Sequence, residues 1–142
     1  MIIDQNSEVV KLCAKGMASE VNGNAAEAYE LFLSAWEQAS NDQEKFIAAH
    51  YVARHQKSVV DKLKWDKIAL DISLKMNDDN SRQAYSSLYL NVAKCYEDLG
   101  DFDSAKENYL LAQSFTTHLS DDGYGNMIRG GIMNGLKRTK KI

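Results

Sequence analysis

Apolar residues recur at helical spacing along nearly the whole chain, and the runs are separated by short polar clusters. Val9, Leu12, Cys13, Gly16 and Met17 fall on one stripe, opened by Asn6-Ser7-Glu8, where Asn6 or Ser7 can cap a helix. Asn22-Gly23-Asn24 ends that run. Ala28, Leu31, Phe32, Ala35 and Trp36 mark a second helix over 25–39, followed by a break at Ser40-Asn41-Asp42. A third is predicted over 42–57, carrying Phe46, Ala49, His50 and Ala53. Ser58-Val59-Val60-Asp61 reads as a variant capping box that starts a fourth, reaching about Met76. Asn77-Asp78-Asp79-Asn80-Ser81 is a turn and cap, and the fifth helix runs from there to Leu99 through Leu88, Tyr89, Val92, Ala93 and Tyr96. Gly100-Asp101 leads into a sixth over 102–118, and a seventh covers 124–138. No alternating strand pattern competes, so the expected fold is all-α, with seven antiparallel helices and short turns.

Composition sharpens this picture at one point. The 142 residues contain no proline, where average usage of about 5% would give around seven. Proline is excluded from helix interiors, so its absence suits a helical chain with short connections. A single domain of this length buries roughly 70% of the surface its unfolded form exposes. No stretch approaches the roughly 18 uncharged apolar residues of a membrane span, and Met1-Ile2-Ile3-Asp4-Gln5 lacks the basic flank and apolar core of a secretion signal. Cys13 and Cys95 both lie inside helical patterns, so no disulfide framework is expected and a reducing cytoplasm is the default location.

Two stretches repeat each other. Gly23-Asn24-Ala25-Ala26-Glu27-Ala28 precedes Phe32 and Ala35 as Gly100-Asp101-Phe102-Asp103-Ser104-Ala105 precedes Tyr109 and Ala112. Gly16 and Ala93 each sit seven residues before the turn glycine, small positions suited to close helix crossing. In these features the chain resembles a tetratricopeptide repeat protein, built from helix-turn-helix units of about 34 residues. Ala48-Ala49-His50-Tyr51-Val52-Ala53-Arg54-His55-Gln56 and Ser87-Leu88-Tyr89-Leu90-Asn91 are similar to strings in small bacterial members. The resemblance implies an α-α superhelix of three antiparallel hairpins, over about 7–39, 42–76 and 80–118, in one domain. A helix at about 124–138 would cap the exposed end, with Gly131 and Gly135 on one face allowing close approach.

The resemblance also implies a concave groove, lined by the first helix of each hairpin, that holds a peptide or a partner segment. Its positions map onto Cys13, Met17 and Glu20, onto His50, Arg54 and Lys57, and onto Ser87, Asn91, Lys94 and Asp98. Asn91 falls where the family often has an asparagine that hydrogen-bonds a bound backbone. Spacing at i, i+4 and i+7 puts His50, Arg54 and Lys57 on one face of the third helix. Arg54 could grip a carboxylate with two parallel bonds, supported by Lys57 and Lys94, which makes an acidic segment one expected ligand. The alternative is that Arg54 and Lys57 pair with neighbouring acids on a solvated face. Cys13 and Met17 stand where the family's full carboxylate clamp needs lysine and asparagine, so that clamp is not expected. The expected partner site is therefore His50, Arg54, Lys57, Ser87, Asn91 and Lys94.

Other chemistries find little support. His50 and His55, five apart, diverge by about 140° around a helix and do not converge on a metal. Cys13 and Cys95 lie beside apolar positions, where cysteine is inert, and Tyr85, Tyr89 and Tyr96 are spaced as core residues. No glycine-rich loop follows a strand. The expectation is a non-enzymatic protein with no cofactor and no metal. A net charge of −3 argues against broad nucleic-acid binding. The run Lys137-Arg138-Thr139-Lys140-Lys141 reads as a solvated, frayed end, with phosphate contact as the alternative. A structural or self-associating homo-oligomeric module is the alternative to peptide recognition.

Overall fold

Side-chain caps set where the helices begin. The computed structural model describes residues 4–140; the opening Met1-Ile2-Ile3 and the tail residue Lys141 lie outside the described residues. Helix α1 spans Glu8–Val21, α2 Ala25–Gln38, α3 Asp42–Arg54, α4 Val59–Met76, α5 Asp79–Arg82, α6 Tyr85–Asp98, α7 Phe102–Ser114 and α8 Gly123–Thr139. A 3₁₀ turn covers Thr116–His118, and no strand occurs among the described residues. Ser7, Asn24, Asn41, Asp101 and Asp122 each accept a hydrogen bond from a backbone N–H in the first turn of α1, α2, α3, α7 and α8. Such a cap stabilises a helix by about 1 kcal/mol relative to alanine. Of the two candidates at the first helix, Ser7 is the cap.

Three boundaries differ from those expected; the sixth helix, expected over 102–118, ends at Ser114 and is followed by the 3₁₀ turn. The third helix ends at Arg54 rather than Lys57, because the N–H groups of His55 and Gln56 bond to Val52 and Ala53 three residues back. The Gln56 side chain then takes the Val52 carbonyl at 3.1 Å, closing the helix. The expected fifth helix is split in two. Asp78 and Ser81 form a reciprocal capping box that starts the short α5, and Ala84 N bonds to Ser81 O before α6 begins. At the other end of the chain, α8 continues through Thr139, whose buried hydroxyl donates to the Gly135 carbonyl at 2.8 Å. Residues 137–139 are thus docked helix and not a frayed end.

The chain divides after Met76 into two compact units. In the first, α1 pairs with α2 and α3 with α4, while α3 also packs on α2 and touches α1. Trp65 of α4 meets Trp36 of α2 edge-on, with ring centroids 5.2 Å apart. In the second, α6 pairs with α7, and α8 packs on α7 and touches α6. The two repeated stretches are buried alike: Ala28, Phe32 and Ala35 in one unit, and Ala105, Tyr109 and Ala112 in the other, are all 0% exposed. Gly23 and Gly100 both take the left-handed conformation at the turns before these helices, with φ of 79° and 82°.

The rings of Phe32 and Tyr109 each lie against a glycine of a neighbouring helix. A Cβ added at Gly16 would stand 2.4 Å from the Phe32 ring, and one at Gly135 2.3 Å from the Tyr109 ring. Gly131 is tight as well, 3.1 Å from Leu90, so the glycine face expected on α8 does meet its neighbours closely. Gly130, in the same helix, has open space around it. Gly135→Ala should therefore cost about 1–3 kcal/mol through overpacking, whereas Gly130→Ala should add about 1 kcal/mol from helix propensity. Urea unfolding of the two variants should shift the midpoint in opposite directions.

Candidate interaction site

The expected site residues divide between the units: His50, Arg54 and Lys57 belong to the first, and Ser87, Asn91 and Lys94 to the second. In the first unit, α3 ends on Arg54, whose guanidinium Nη2 donates to Glu20 Oε1 of α1 and lies over the Tyr51 ring at 4.7 Å. His55 Nε2 is 2.7 Å from the other oxygen of Glu20. Arg54 is thus already paired with an acid, one of the two alternatives that its sequence context offered. Lys57 lies beyond the end of α3, exposed in the turn before α4, and so does not continue the face of His50 and Arg54.

His50 is half-buried among aromatic rings, with Phe46 at 6.3 Å and Tyr51 at 5.4 Å between centroids. Burial pushes its imidazole below the ordinary histidine range, and the Arg54 charge acts the same way, while Asp66 of α4 opposes them. Its place is that of a packed, neutral ring. Arg54 of α3 follows Glu20 of α1 by 34 residues. Opposite charges separated by the repeat length that the sequence resemblance implies were the available sign of this pairing.

In the second unit, Ser87 donates its hydroxyl to the Ala84 carbonyl at 3.2 Å. Asn91 and Lys94 of α6 face α8 across a hollow of about 300 Å³, also lined by Leu90, Gly131, Asn134 and Arg138, with Tyr109 behind them. The cations of this hollow have partners. Lys94 Nζ lies 2.5 Å from Asp98 Oδ1. Arg138 donates from Nε to Glu97 Oε2 at 2.7 Å and from Nη2 to Oε1 at 3.1 Å. The buried Tyr109 hydroxyl completes this cluster, donating to Glu97 at 2.7 Å and accepting from Arg138 at 3.2 Å. The bond from Arg138 holds the Glu97 carboxyl below its usual range, while burial and the carboxylate push Tyr109 up to about 12.

Two groups in the hollow are left uncommitted. The carboxamides of Asn91 and Asn134 make no hydrogen bond among the described residues, and they sit on α6 and α8, the two helices that flank the hollow. Each offers two donors and an acceptor, the complement of a peptide backbone. Sequence reasoning reached Asn91 but missed Asn134, because the seventh helix was read as a cap with an apolar side. An asparagine in the middle of a helix, where propensity does not favour it, was the available signal.

The remaining candidates are structural. Burial pushes the Cys13 thiol up to about 11, far from a reactive thiolate. Tyr85 and Tyr89 pack on Phe115 at 5.1 and 5.8 Å, and Tyr96 lies beside the Ala93, Ala105 and Tyr109 cluster. Among the described residues no group of three or more histidine, cysteine or acidic side chains could hold a metal ion, and no helix is long and apolar enough to cross a membrane. No protein-family model matches this chain, and no curated protein or solved structure is significantly similar to it.

His50 gives a pH signature in the first unit. Its folded pKa is depressed below the 6.5 of the unfolded chain, so the unfolded state binds more protons as pH falls through 6.5, and folding stability drops there. His50→Gln should remove that part of the loss. Equilibrium unfolding from pH 8 to pH 5 should show a shallower decline for the variant than for wild type.

Proposed function

We propose that this chain is a non-catalytic helical-repeat interaction module of tetratricopeptide type, which holds an extended segment of a protein partner between α6 and α8. The observation that carries this reading is the pair of uncommitted carboxamides, Asn91 and Asn134, lining one hollow whose charges are otherwise paired. Backbone amides of an extended segment can satisfy both, and the apolar Leu90 offers a contact for a side chain. Lys94 with Asp98 and Arg138 with Glu97 cancel locally, so recognition here rests on backbone hydrogen bonds more than on an acidic ligand. The matching burial of the two repeated stretches and the three helix pairs support the repeat architecture. Cys13 and Cys95 are buried and form no disulfide, which accords with a reducing cytoplasmic setting.

The test is selection of random linear peptides on the immobilised protein, followed by titration of the enriched sequences. Loss of one hydrogen-bonding group typically costs about 0.5–1.5 kcal/mol. The Asn91→Ala/Asn134→Ala double variant should therefore weaken an enriched peptide by about tenfold or more while keeping the wild-type circular dichroism spectrum. Enriched peptides that bind the double variant with unchanged affinity would remove this reading.

A further inference from the structure

The face of α8 turned away from the Asn91–Asn134 hollow forms a separate groove with α7, of about 430 Å³. Its apolar floor is Ile132, Met133 and Leu136, and Met133 is 58% exposed. Its rim is basic, formed by Lys106 of α7 and by Lys137 and Lys140 at the end of α8, with Arg129 toward the start. The Arg129 guanidinium is committed to the carbonyls of Leu119 and Ser120. The three lysines make no ion pair among the described residues, and no carboxylate lines the groove. The acidic residues of α7, Asp103 and Glu107, line the adjacent hollow with Leu110 and Leu111, which Lys106 also borders. Residues 129–140, the end of α8 and its C-cap, contain four cations and no acid. An apolar strip bordered by unpaired cations calls for an apolar strip bordered by carboxylates.

The shape of the occupant is suggested by the first unit. There α3 packs on α2 and touches α1, as α8 packs on α7 and touches α6. A further helix, α4, then lies along α3 and reaches α2 through the Trp65–Trp36 contact. In the second unit no described residue takes the corresponding place, and the α7–α8 groove is open. Along α8 and its C-cap the lining runs from Arg129 to Lys140, 11 residue steps or about 16 Å, the length of three turns of a partner helix.

We infer that the α7–α8 groove docks an acidic amphipathic helix of a partner protein, its leucine-type stripe on Ile132, Met133 and Leu136 and its carboxylates on Lys106, Lys137 and Lys140. This surface is independent of the Asn91–Asn134 hollow. The recognition is helix-in-groove, with apolar anchors for affinity and charge for orientation and partner choice.

The probe is a fluorescent, lactam-bridged 16-residue helix with leucine at i, i+3, i+4 and i+7 and glutamate on both flanks. Its comparators are a scrambled peptide of the same composition and a version with lysine replacing glutamate. Fluorescence anisotropy with the full chain should show the acidic helix binding at least tenfold tighter than either comparator and weakening as salt is raised. Lys106→Glu/Lys137→Glu should weaken it at least tenfold, and the milder Lys106→Gln/Lys137→Gln by a smaller factor. Lys15→Glu/Lys64→Glu, which makes the same change in net charge elsewhere, should leave it within twofold. Equal binding of the three peptides, or equal loss in the two charge-reversal variants, would overturn the inference. So would a sedimentation mass of a dimer that Met133→Asp dissociates, since a second copy would then occupy the groove.

Discussion

An aromatic ring with no room for a side chain opposite it is the constraint on which this fold depends. Phe32 and Tyr109 occupy equivalent places in the two repeated stretches, each fully buried between alanines. The ring in each case fills the space that a Cβ would need on a neighbouring helix, at Gly16 for Phe32 and at Gly135 for Tyr109. Helix spacing is thereby set by one large side chain and one missing one, and removing such a ring costs about 3–5 kcal/mol. The second unit adds a polar consequence. Tyrosine in place of phenylalanine brings a hydroxyl into the interior, and Glu97 and Arg138 meet it. The same contact that packs α7 on α8 therefore positions Arg138 at the edge of the α6–α8 hollow.

Pairing of charges decides which surfaces keep unpaired polar groups. Glu20 takes up both Arg54 and His55, Glu97 takes up Arg138, and Asp98 takes up Lys94. An exposed pair such as Lys94–Asp98 contributes little to stability. The larger effect of the pairing is to leave the α6–α8 hollow locally neutral, so that its unpaired groups are carboxamides. On the other face of α8 the lysines lack acids, and there positive potential survives. One helix thus presents two chemistries, a polar neutral face toward α6 and a basic, apolar-floored face beside α7.

Much of the architecture was legible because local signals agreed with one another. Turn glycines, capping side chains and the Ala–aromatic–Ala spacing all pointed to the same helices, and six of the repeated positions are buried to the same degree. The misread boundaries came from side chains acting on the backbone at a distance periodicity does not sense, such as Gln56 on Val52 O and Ser81 on Asp78. The site was legible only in part. Asn91 and Lys94 border the α6–α8 hollow, and the electrostatic state of Arg54 depends on Glu20, 34 residues earlier. Asn134 and the lysines of α8 were hidden for a different reason: a helix read as a cap and a tail read as frayed attract no functional weight until their docking is seen.

The most direct measurement is the nuclear Overhauser and chemical-shift pattern of the glycine α-protons in solution. If an aromatic ring rests on glycine backbone in each unit, the α-protons of Gly16 should show cross-peaks to the Phe32 ring and those of Gly135 to the Tyr109 ring, with large ring-current displacements. Gly130, with nothing near it, should show neither. Ordinary α-proton shifts and no ring cross-peaks at Gly16 and Gly135 in a folded sample would contradict the account.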